Sequence, residues 1–219
     1  MIIEMMLAGF FFWFIIITNI ASNRFGYQTF GDLEKEAKLD DISKYPKKFK
    51  ISFALIFVEH IGIILLAITM FLAFNSYFIF LAVVWTISRS TEGLIQIYNK
   101  KSYWKLLNIS EKYLKAESKE KKSLGKLRLE ILKSKLSNFI VAQIFFSIGT
   151  LAYSILFVIY DVIPSVIGWF GLIASIIYGS GNAVFVLRPN NRNLWNLGGL
   201  LILIYEMILG GSLIYYSII

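Results

Sequence analysis

Eight side chains in this sequence could do chemistry in a place where chemistry is hard to do. Arg89 and Glu92 stand three residues apart, so a helix would present a guanidinium and a carboxylate on one face, with Gln96 one turn further along it. Glu59-His60 is a carboxylate next to the only imidazole of the chain, and Gln143, Asn182 and Glu206 each stand alone in an apolar run. Together they could hold a proton, a cation or a small polar ligand. Ionisable groups at membrane depth are costly and face a partner or a water-filled cavity rather than lipid. Three glutamates against one arginine leave two negative charges uncompensated while His60 is neutral. A low-dielectric site does not keep such charges bare. A proton on a glutamate, a proton on His60 or a bound cation would restore balance.

The elements that must position these residues are membrane helices. Of the 219 residues 57% are hydrophobic and only 16% charged, and the mean hydropathy is +0.67, where soluble domains carry about 25% charged residues. A spanning helix needs ~20 mostly apolar residues. Six runs meet that requirement: Ile2 to Ala21, Ile51 to Phe74, Tyr77 to Tyr98, Asn138 to Tyr160, Ile163 to Leu187 and Trp195 to Ile218. The expected fold is all-α, a single membrane domain over 1–219 formed by a bundle of six transmembrane helices. A cytoplasmic amphipathic helical insert, 99–137, separates spans three and four. In the insert Trp104, Leu107, Leu114, Leu124, Leu127, Ile131 and Leu132 recur at roughly helical spacing among lysines, and Gly125 is the expected break. The first run lacks a basic leader and is apolar for too long to be a cleaved signal, so it reads as a retained helix. GDLEKEAKLDDI, 31–42, reads as a short amphipathic surface helix.

Charge orients the bundle. The connections 22–50, 99–137 and 188–194 carry 7, 12 and 2 Lys or Arg, which is 21 of the 22 in the chain; the other is Arg89. Cytoplasmic connections are enriched in Lys and Arg. Both termini are therefore expected outside a plasma membrane and the basic segments inside, against anionic headgroups. Other membrane subunits or a second copy are the expected protein partners, and nucleic acid is not.

Composition also removes chemistries. No cysteine means no disulfide, thiolate site or iron–sulfur cluster, and one histidine excludes a bis-histidine haem or three-histidine zinc within one chain. No cofactor and no metal site is expected. The favoured reading is a small transporter-like or ligand-binding bundle with an acidic cavity open to the cytoplasm. An accessory subunit of a membrane complex is the alternative. A lipid-modifying enzyme using Glu59 and His60 as acid and base comes third, since no nucleophile motif or diphosphate-binding acidic repeat supports it. Buried polar groups also serve as plain interhelical ties, worth ~0.6 kcal/mol on average.

Three ordered stretches resemble a known family. They are Arg89-x-x-Glu92-Gly93; then Gln143-Ile144-Phe145-Phe146-x-x-Gly149 with Tyr153-x-x-Leu156, Ile163-Pro164 and Trp169-x-Gly171-Leu172-Ile173; and Glu206 in the last span. Together they resemble the prokaryotic multi-pass membrane family catalogued as domain of unknown function 4386, over about residues 50–218. The resemblance implies the multi-helix fold and marks Glu59, Arg89, Glu92 and Glu206 as a shared constellation. It implies no substrate.

Overall fold

The computed structural model describes residues 2–25, 38–188 and 192–218. They form seven helices: α1 (Ile2–Arg24), α2 (Leu39–Lys44), α3 (Pro46–Phe74), α4 (Ile79–Lys115), α5 (Ser118–Tyr160), α6 (Ser165–Leu187) and α7 (Asn193–Tyr216). No strand occurs among the described residues. Helices satisfy every interior backbone N–H and C=O within the segment, which apolar surroundings demand. Five of them, α1, α3, α5, α6 and α7, are long and apolar enough to cross a membrane. α4 falls outside that set. Its apolar start is diluted by Arg89, Glu92 and Gln96 and followed by the lysine-rich half.

Most of the expected 31–42 helix lies outside the described residues; its end appears as the six-residue α2. Residues 99–137 are the second half of α4 and the first half of α5. The break falls at Ala116–Glu117 rather than at Gly125, which is helical and has nothing within 4 Å of where a β-carbon would stand. One glycine costs a helix only ~1 kcal/mol relative to alanine, too little against the helix-forming Lys, Leu and Glu around it. Between α5 and α6, Asp161 adopts φ 49°, and its Oδ1 accepts a hydrogen bond from the Ser165 amide at 3.2 Å. A short polar side chain tolerates that left-handed geometry. α6 then starts just after Pro164.

The chain divides into two compact units, and α1, α3, α4 and α5 each contribute to both. The first comprises Met1–Ile16, Gly62–Leu94 and Ile140–Ile219. In it α6 lies against α7 at glycine contacts. A β-carbon at Gly171 would fall 2.3 Å from the Tyr205 ring, and one at Gly198 would fall 2.6 Å from the Tyr178 Cα. Glycines of α6 also meet α5, since Gly168 abuts Val158 and Gly179 abuts Ser147. α6 runs unbroken from Ser165 to Leu187.

The second unit comprises Ile17–Ile61 and Ile95–Phe139. Its core joins Leu39 and Ile42 of α2, Phe49 and Ile56 of α3, Tyr103, Leu106 and Leu107 of α4, and Ile131 and Leu132 of α5. Phe49 stacks on Tyr103 with centroids 5.4 Å apart, and Phe53 meets Trp104 edge-on at 4.6 Å. Of the expected apolar stripe, Leu107, Ile131 and Leu132 are core and Leu124 packs against it, while Leu114 and Leu127 are exposed.

Candidate functional site

The first unit brings Arg89, Glu92 and Glu206 together. Arg89 Nη1 lies 3.0 Å from Glu92 Oε2 within α4, and Nη2 lies 3.7 Å from Glu206 Oε1 of α7. Arg89, Glu92 and Glu206 are 2%, 3% and 8% exposed. The guanidinium also sits 4.3 Å over the Phe146 ring of α5, a cation–π contact that strengthens when desolvated. Two carboxylates thus share one guanidinium.

The pairing is electrostatic rather than fully hydrogen-bonded. Arg89 Nε, Arg89 Nη1 and Glu92 Oε2 are buried without a partner in hydrogen-bond geometry. The same holds for Trp85 Nε1, one turn earlier on α4. Buried polar atoms in native proteins are almost always bonded, so each exception needs a reason. Gly149 of α5 lets the Arg89 and Trp85 side chains pack closely against its backbone. A β-carbon there would fall 3.0 and 3.2 Å from Arg89 Cγ and Cδ, and 3.2 Å from Trp85 Cδ1. The hydroxyls of Thr150 and Tyr153 are buried next along α5, close to one another but short of hydrogen-bond geometry. Tyr153 meets Trp85 edge-on at 5.7 Å and stacks on Tyr205 at 6.1 Å.

The neutral amides form a separate set of ties in this unit. Tyr178 donates its hydroxyl to Gln143 Oε1 at 3.0 Å. Asn182 accepts from the Trp195 indole at 3.0 Å and donates to the Tyr178 carbonyl at 2.8 Å. These bonds lock α6 to α5 and to α7.

Glu59, His60 and Gln96 belong to the second unit and are buried there. Asn19 of α1 donates to both oxygens of Glu59, at 3.1 and 3.2 Å. His60 Nδ1 bonds the Ile56 carbonyl one turn back. Lys100 and Lys135 are buried in the same unit. Asn99 donates to the Lys135 carbonyl at 3.0 Å and accepts from Asn138 at 3.3 Å, and Lys135 Nζ lies 5.0 Å from the Tyr103 centroid.

Sequence reasoning assigned no role to Asn19, Trp85 or Tyr178, and Phe146, Gly149 and Tyr153 entered it only as positions that carry the resemblance. Two signals were available. Asn19 is the only side-chain amide in the first apolar run, and Trp85 precedes Arg89 by one helical turn. Among the described residues no group of three His, Asp or Glu side chains is placed to hold a metal ion.

No curated protein and no solved structure matches the chain. A family does: the one described as "Domain of unknown function (DUF4386)" matches residues 7–216, nearly the whole length. With its apolar helices and a match of that extent, this helical membrane protein belongs to the domain of unknown function 4386 family.

Proposed function

We propose that this protein is a transporter-like membrane bundle in which Arg89, Glu92 and Glu206 hold one proton or one monovalent cation. The observation that carries the reading is the pair of carboxylates on a single buried guanidinium. One negative charge remains once Arg89 is counted, and an unmatched charge in such surroundings costs several kcal/mol. A proton or cation cancels it. The site narrows the eight expected residues to three, with Gln143 and Asn182 as framework. Glu59, His60 and Gln96 serve the second unit; Asn19 on both Glu59 oxygens supports a tying role there.

The reading includes a sixth span formed by the first half of α4. Arg89, Glu92 and Gln96 are all buried, which is how a spanning helix tolerates polar residues. It also includes both termini outside and the basic segments in the cytoplasm beside anionic headgroups, supported by the Lys and Arg distribution.

The test counts protons. Purified protein in lipid nanodiscs is titrated in weakly buffered solution, with and without sodium or potassium, beside Glu206→Gln. The variant is expected to bind one proton fewer, or to lose a cation-dependent release of one. A variant that titrates like the parent across the range in which both stay folded overturns the reading.

A further inference from the structure

The charged site of the first unit has a polar side and a dry side. On the dry side Met70 and Phe74 come from the end of α3, Ala82 and Trp85 from the start of α4, and Tyr153 and Phe157 from the end of α5. They line a void with room for about one water molecule, and only carbon faces it. A void without polar partners stays dry. The rings touch in series. Phe74 meets Phe157 edge-on at 5.2 Å, Phe157 meets Tyr153 at 5.7 Å, and Tyr153 meets Trp85 edge-on at 5.7 Å. All four are buried, and Trp85 stands one helical turn before Arg89. From this layer to the end of the unit, the buried non-aromatic polar side chains among the described residues are Ser154 and Ser217. Both hydroxyls donate to backbone carbonyls of neighbouring turns. Toward the opposite end, Gln143 and Ser147 of α5 and Asn182 of α6 are buried as well.

We propose that Phe74, Trp85, Tyr153 and Phe157 form a hydrophobic gate that seals the Arg89–Glu92–Glu206 site from one end of the unit. That end is where α3 turns into α4 and α5 into α6, the outer end in the proposed orientation. An apolar constriction closes by dewetting: no water chain persists in it to carry a proton or to hydrate an ion. The closed gate therefore leaves the polar side of the site as its route of exchange, and passage to the sealed end requires the rings to part. The proposal rests on the proton- or cation-binding reading of Arg89, Glu92 and Glu206 and names what keeps that site closed on one side.

The test measures proton leak. The full chain is reconstituted in vesicles of neutral lipid with a pH-sensitive dye inside, and a potassium diffusion potential drives protons across. Phe157→Ser and Met70→Gln each bring a polar group to the void and are expected to raise the flux roughly tenfold, which is ~1.4 kcal/mol off the barrier. Phe157→Leu keeps the layer apolar and is expected to leak no more than the parent. Adding Glu206→Gln to either polar variant returns the flux to the parent level, because the path runs through the site. Helical circular dichroism and thermal unfolding show which variants are folded. Met70→Gln, close to methionine in size, carries the test if Phe157→Ser does not fold. Three outcomes overturn the proposal: folded polar variants that leak no more than the parent, a raised flux that Glu206→Gln leaves in place, or Phe157→Leu leaking as much as Phe157→Ser. If the flux stays low while Glu206→Gln alone still removes a bound proton, only the gate falls. If Glu206→Gln alone titrates like the parent, the proton site itself falls and the gate with it.

Discussion

The two units bury charge in opposite ways. The first holds two carboxylates and one guanidinium, with several donors and an acceptor outside hydrogen-bond geometry. The second buries two lysines and one glutamate; Asn19 bonds both oxygens of the glutamate, and Asn99 bonds the Lys135 backbone carbonyl. The difference separates tie from site. Asn19 on Glu59 and Asn99 on the Lys135 carbonyl are bonds that fix helices, and a fixed and satisfied group has little left to offer a ligand. Arg89, Trp85 and Glu92 keep unused hydrogen-bonding capacity in dry surroundings. A fold tolerates that at a place where something else binds.

The comparison can be broken most forcefully at Arg89. Arg89→Met leaves Glu92 and Glu206 facing each other without a counter-charge and is expected to cost ~3–5 kcal/mol of stability. Thermal unfolding in detergent reads it, and adding Glu206→Gln should recover most of the loss. A single-variant loss below ~1 kcal/mol would mean that the carboxylates do not depend on the guanidinium.

Gly149→Ala tests the packing that frames the site. Its β-carbon would press on Arg89 and Trp85, and overpacking of that kind costs ~1–3 kcal/mol. Gly125→Ala is the contrast. Open space surrounds that position in the second unit, so the change should stabilise by ~0.5–1 kcal/mol through helix propensity alone.

Asn19→Ala removes donors from Glu59 and should cost ~1.5–3 kcal/mol, the usual worth of bonds to a charged group. It should leave the proton count of the first unit unchanged. A change in that count would make Glu59 part of the site after all and erase the contrast between the units. The smallest effect is expected from Tyr178→Phe. It deletes one neutral bond to Gln143, worth ~0.6 kcal/mol in a membrane bundle, and two-state unfolding of the variant beside the parent measures it.

Much of this could be read before any coordinates. Apolar runs of the right length place the helices, because each run must satisfy its backbone internally. Arg89 and Glu92 are legible as a pair because i and i+3 on a helix are always neighbours. The ends of elements were harder. The insert and its flanking spans share single helices, since periodicity continues smoothly from apolar to lysine-rich sequence and nothing local stops it at Tyr98 or Ser137.

What the chain alone determines is therefore the one-dimensional part: which stretches are helices, which of them are apolar, and which polar residues are stranded within them. Tertiary structure decided the partnerships. Glu206 reaches Arg89 across more than a hundred residues, and Glu59 meets Asn19 on α1 rather than standing isolated in its span. Gly149 acquires meaning only where α5 crosses α4. Helical spacing states which residues share a face. The rotation and height of each helix against its neighbours state which faces meet, and many side chains must pack together to settle that.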